Sequence, residues 1–150
     1  MLHEGELAPA IHLQTDSGES FDLASVRGRK VVLFFYPKAS TPGCTVEACE
    51  FRDTFKKFEK KGVVVLGISK DTSKAQTTFK VNQRLPYTLL CDPDKKVIEA
   101  YGVWKEKTMY GKKVMGVERT TFVIDEQGKI QKIFSKVKPA GHAEEVLAAI

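Results

Sequence analysis

Two uninterrupted apolar runs, VVLFFY from Val31 and VVVLGIS from Val63, flank a segment of helical period, and no other feature restricts the fold as tightly. A strand wet on one face alternates apolar with polar residues. These runs do not, so each reads as a strand covered on both faces. Between them Ala48, Phe51, Phe55 and Phe58 recur at spacings of three and four, which places them on one face of a helix. Lys56, Lys57, Lys60 and Lys61, followed by Gly62, supply helix-stop signals. Strand, helix and strand in that order predict a right-handed βαβ unit with parallel strands.

The rest of the chain extends this unit. KDTSKAQTTFKVNQRL predicts a second helix, capped around Thr72 or Ser73 and ended by the proline of LPYTLLCDPD. KKVIEAYGV reads as a short helix, RTTFVIDEQGKIQKIFS as a β-hairpin turning at Glu126 to Lys129, and GHAEEVLAAI as a closing helix. The expected class is therefore α/β, a central mixed β-sheet flanked by helices. No repeat and no Pro-, Gly- or Ser-rich linker divides the sequence, so a single domain is expected over residues 1–150. No apolar run approaches the roughly 20 residues of a membrane span, so no membrane partner is expected. The opening MLHEGELAPAIHLQ has neither a basic flank before an apolar core nor a transit-peptide composition, and a cytoplasmic location is expected. The net charge of +5 is carried by lysines scattered among acidic residues, which argues against a nucleic-acid partner.

Three cysteines are an odd number and too few for a secreted disulfide framework, so a reducing compartment is expected and each thiol must be considered separately. Two of them stand five residues apart in STPGCTVEAC. Thr41 fits a helix cap, Pro42 fits the first helical position, and Cys44 then falls in the first turn. Unpaired N–H groups and the positive end of the helix dipole favour a thiolate there. Gly43, without a Cβ, lets a small substrate approach. On a regular helix the Cα atoms of Cys44 and Cys49 would be about 8 to 9 Å apart. A disulfide tolerates at most about 7 Å, so a bond between them requires the first turns to unwind. Pattern alone leaves Cys49 open between a small buried hydrophobe and a redox partner. The histidines at 3, 12 and 142 give no zinc-ligand spacing with these cysteines, and none stands in a context that suggests a hydrolase base. A zinc site is therefore not expected. The absence of C-x-x-C disfavours an ordinary dithiol oxidoreductase.

The stretch FFYPKASTPGCTVEACEFRD contains P-x-x-x-T-x-x-C as Pro37, Thr41 and Cys44, and it resembles the active-site signature of the peroxiredoxins. Thr-Pro-Gly-Cys with a second cysteine five residues later is similar to the peroxiredoxin Q or bacterioferritin comigratory protein subfamily. GVVVLGISKD, LPYTLLCDPD, AYGVW and ERTTFVIDEQGKI extend the resemblance along essentially the whole chain. It implies a thioredoxin-like fold and reduction of hydrogen peroxide and organic hydroperoxides, without metal or bound cofactor, at the expense of thioredoxin or a similar thiol.

By the same resemblance Cys44 corresponds to the peroxidatic cysteine and Cys49 to the resolving one. Thr41 corresponds to the hydroxyl that orients peroxide and contacts the thiolate, Pro37 to the residue that shields it, and Arg119 to the arginine that completes the pocket. Pattern alone ranks Arg52, on the same helix as Cys44, beside Arg119. Some subfamily members keep the resolving cysteine in the following helix, here about Ala75 to Arg84, where this chain has none. Cys91 matches no catalytic position and reads as a structural thiol, and Trp104, Met109 and Met115 read as packing residues. A monomer suffices for such chemistry, and a dimer is compatible with it. The alternative is a thiol-disulfide oxidoreductase or redox sensor on the same fold.

Overall fold

The computed structural model describes residues 2–150, apart from the side chain of Met109. The VVLFF run forms β3 (Val31–Phe35), buried at all five positions. It lies between β4 (Val64–Ser69), which is parallel to it, and β8 (Thr120–Ile124), which is antiparallel. Helix α1 (Pro42–Lys60) connects β3 to β4, as the period required. With β1 (His12–Thr15), β2 (Ser20–Asp22), β5 (Thr88–Cys91) and β9 (Ile130–Phe134), the seven-stranded sheet runs β2-β1-β5-β4-β3-β8-β9. It is mixed, with parallel pairing in β3-β4 and β4-β5 and antiparallel pairing elsewhere.

Alternation along β3 sends successive side chains into two separate cores. Val32, Phe34 and Tyr36 face α1, α2 (Ser73–Gln83) and α4 (His142–Ala149), where they meet Cys44, Ala48, Phe51, Phe58, Phe79 and Val146. Val31, Leu33 and Phe35 face the other way, towards α3 (Lys96–Ala100), Tyr101 and Val117. Gly67 in β4 is where this packing tolerates no side chain. A Cβ there would stand 2.9 Å from both the Phe34 ring and Leu89. The space it leaves seats Phe34, whose ring stacks on Phe51 at 4.6 Å and fixes α1 over the sheet. Burial of each such aromatic contributes roughly 1.5 to 3 kcal/mol, which anchors the helix well beyond its weak intrinsic stability.

Two hairpins are absent from the sequence-based reading. β1 and β2 lie at the sheet edge, too short and too exposed for a period to show. β6 (Trp104–Met109) and β7 (Lys112–Val117) form a separate two-stranded sheet. Their turn at Tyr110-Gly111 has positive φ at both residues, 52° and 75°, the pattern of a tight hairpin. Because this ribbon stands away from the main sheet, lysines replace the apolar alternation that would announce it. Met115 is 52% exposed rather than packed. Trp104 is half-buried with Lys95 over its ring at 4.5 Å, and the Met109 side chain lies outside the described residues.

Candidate active site

The loop from β3 to α1 is held before the helix begins. Asp71 Oδ2 accepts from Ala39 N at 2.7 Å and from Ser69 Oγ at 2.6 Å, tying the loop to the end of β4. Ser40 turns the chain with φ 65°, a left-handed conformation unusual for a residue with a Cβ. Pro37 is half-buried on this loop. Thr41 takes the N-cap position and Pro42 the start of the helix, as expected. The Thr41 hydroxyl makes neither of its expected bonds, however. It donates back to the Lys38 carbonyl at 2.7 Å, because the Ser40 turn brings that carbonyl within reach, and α1 has no side-chain cap. Among the described residues no hydrogen bond joins the Thr41 hydroxyl to the Cys44 sulfur.

Cys44 sits in the first turn of α1, 2% exposed. Arg119, in the two-residue link between β7 and β8, brings Nη1 to 3.5 Å from its Sγ. Gly43 has a definite steric role here, since a Cβ would stand 3.2 Å from Arg119 Nη2. The glycine lets the guanidinium lie across the helix start. Arg52, the other candidate, points elsewhere: its Nη1 donates to the Gln83 carbonyl at 2.8 Å and its Nε pairs with Asp53 at 2.9 Å. Cys49 is half-buried on the same helix, and all three cysteines are free thiols. Cys91 is buried at the end of β5, and burial pushes its thiol up to about 11, which suits an unreactive packing group.

Two partners of the site were missed. Glu47 is fully buried, and its Oε1 accepts from the same Arg119 Nη1 at 2.8 Å while Oε2 has no hydrogen-bond partner among the described residues. Burial drives the Glu47 carboxyl up to about 7, against the opposing pull of Arg119. Burial by itself would lower Arg119, but Glu47 and Cys44 outweigh it and hold the guanidinium above its ordinary range. The sequence signal for Glu47 is a charged residue three positions after Cys44 inside the apolar stripe of α1. Lys107, on β6, is the second. Burial and then the neighbouring Arg119 lower it, while the charges of Cys44 and Glu118 act in the opposite sense. Nothing in the alternation of KEKTMYGKKV marks it.

A raised carboxyl gives a signed prediction. Below about 4.5 the group is protonated whether the chain is folded or not. As pH rises towards 7 only the unfolded chain ionises it, so this contribution to stability is lost across that window, by up to about 3 kcal/mol. Urea unfolding at pH 4.5 and pH 7.5 should show this loss in the wild type and a much smaller one in Glu47→Gln.

The arrangement places a small, buried thiol in the first turn of a helix against one guanidinium, with no metal-binding cluster among the described residues. Residues 5–133 match the AhpC/TSA family model. The chain belongs to the AhpC/TSA family. A Coxiella burnetii protein assigned the name peroxiredoxin bcp is 53% identical over 149 residues, covering 99% of either chain. The Bacillus subtilis Peroxiredoxin Bcp is 43% identical over 146 residues, 97% of this chain and 93% of that one. The solved Xanthomonas campestris Bacterioferritin Comigratory Protein has 40% identity and a TM-score of 0.88 over 93% of this chain and 88% of that one. The fold is thus the thioredoxin-like peroxiredoxin fold, and the protein is a thiol-dependent peroxidase, oxidised by peroxide and reduced by thiols.

Proposed function

We propose that Cys44 is the thiol that attacks peroxide and that Cys49 resolves the product as an intramolecular disulfide, recycled by thioredoxin or a similar dithiol. The observation that carries this reading is the Arg119 guanidinium 3.5 Å from a buried first-turn thiol. The Cys44 thiolate attacks one oxygen of the O–O bond. The bond breaks, the other oxygen leaves as hydroxide or alkoxide and takes a proton, and Cys44 becomes a sulfenic acid. Arg119 and the free N–H groups of the first turn stabilise the negative charge as it moves from sulfur to the leaving oxygen. In this role Thr41 turns its hydroxyl from Lys38 to the bound peroxide, and half-buried Pro37 limits access of water.

Organic hydroperoxides are substrates in this reading as well as hydrogen peroxide. Alkyl peroxide reduction activity is ascribed to the Xanthomonas campestris protein, which supports extending the substrate class. Both thiols lie on one helix, so resolution requires no second chain and a monomer suffices. Three free thiols suit a reducing cytoplasm and a part in antioxidant defence. After one equivalent of hydrogen peroxide, non-reducing peptide mapping by mass spectrometry should find Cys44 bonded to Cys49 within one chain. A bond to Cys91, or one between chains, would overturn the resolving assignment.

A further inference from the structure

Cys49 is not free on the surface of α1. Its half-buried Sγ lies 3.4 Å from Oε1 of Gln83, the last residue of α2. Three residues further along α1, Arg52 donates to the Gln83 main-chain carbonyl at 2.8 Å. That carbonyl lies in the last turn of α2, which has no helical partner for it because Arg84 leaves the helix with φ 54°. The Tyr87 hydroxyl, just beyond, donates to the Ala48 carbonyl at 2.6 Å. The segment from Ala48 to Arg52 is therefore tied to the end of α2 and the chain that follows it at three points. One of the three holds the sulfur itself.

We infer that Gln83 is a positioning residue that restrains Cys49 and so sets the rate of disulfide formation. The inference rests on the reading of Cys49 as the resolving thiol. In that step the deprotonated Cys49 sulfur attacks the sulfenic sulfur of Cys44. The S–S bond forms and the S–O bond breaks, and the hydroxide that leaves combines with the proton lost from Cys49 to give water. Cys49 is oxidised and the sulfenic sulfur is reduced, so no further reagent is needed. Gln83 opposes this step. Its Oε1 accepts from the Cys49 S–H and holds the sulfur against α2, whereas attack requires the first turns of α1 to unwind. That contact must break before the sulfur can move, so it slows resolution while leaving the peroxide step at Cys44 alone.

Rapid mixing of the reduced protein with hydrogen peroxide, acid quench and intact mass measurement separates the two steps. Gln83→Ala should form the disulfide about three- to tenfold faster than the wild type, the range of one ordinary hydrogen bond, with sulfenic acid formation unchanged. Gln83→Glu puts a stronger, charge-assisted acceptor in the same place, so it should hold the sulfur more firmly and slow the disulfide step by a similar factor. General loosening of α2 moves both variants the same way. An unchanged disulfide rate in Gln83→Ala, or shifts of one sign in both variants, would overturn the inference. Peptide mapping of the same samples separates this failure from the other one: if the bond is not Cys44 to Cys49, the resolving assignment itself is wrong.

Discussion

Cys44→Ser should abolish peroxide-dependent oxidation of a thiol reductant, with a fall of at least about 10³-fold in a coupled thioredoxin assay. A serine hydroxyl is not ionised near neutral pH, and its oxygen is a poor nucleophile towards an O–O bond. The first turn of α1 and Arg119 then have no anionic sulfur to act on. The substitution is nearly isosteric at a buried position, so the fold should survive and thermal unfolding should change little. Normal turnover in the variant would remove peroxide chemistry from Cys44 and return the protein to the redox-sensor reading.

Arg119→Met should have the second largest effect, on two separate quantities. Removing a charged donor from the developing oxyanion should slow thiolate oxidation about 10²- to 10³-fold in stopped-flow measurements. The same change leaves Glu47 fully buried with neither oxygen partnered. Breaking one side of a buried pair costs about 3 to 5 kcal/mol where the remaining group stays charged. Glu47 escapes part of that cost by protonation, since burial already holds its carboxyl near 7, so the loss of stability should grow as pH rises above neutral. Adding Glu47→Gln to Arg119→Met should recover most of the stability and little of the rate. Recovery of both would mean that Arg119 serves the fold rather than the reaction.

The parts of this molecule readable in the sequence are those where one physical requirement dominates. Val31–Phe35 is covered on both faces, so its composition could only be apolar. Phe51 and Phe58 must meet the sheet, so the period of α1 was plain. Cys44 was found because a turn, a proline and a thiol have to stand in sequence for a helix start to act on sulfur. The role of Arg119 came only from resemblance, since it reaches Cys44 from 75 residues away and its local context is a strand end. Gln83 likewise touches Cys49 across 34 residues. Glu47 was open to detection: a carboxylate inside an apolar stripe must have a partner or a raised proton affinity, and it has both. The Lys107 ribbon was not, because a hairpin in its own two-stranded sheet needs no alternating pattern.

In the proposed cycle α1 is intact when Cys44 meets peroxide and unwound when Cys49 reaches the product. With both thiols free the helix runs unbroken from Pro42 to Lys60. At that geometry the two Cα atoms stand about 8 to 9 Å apart, beyond disulfide reach. Hydrogen exchange of reduced and peroxide-treated protein tests this directly. Main-chain amides of residues 43–50 should be protected in the reduced protein and lose that protection once the disulfide forms, while β3 and β4 remain unchanged. Equal protection of residues 43–50 in a sample shown to carry the Cys44 to Cys49 bond would contradict this cycle.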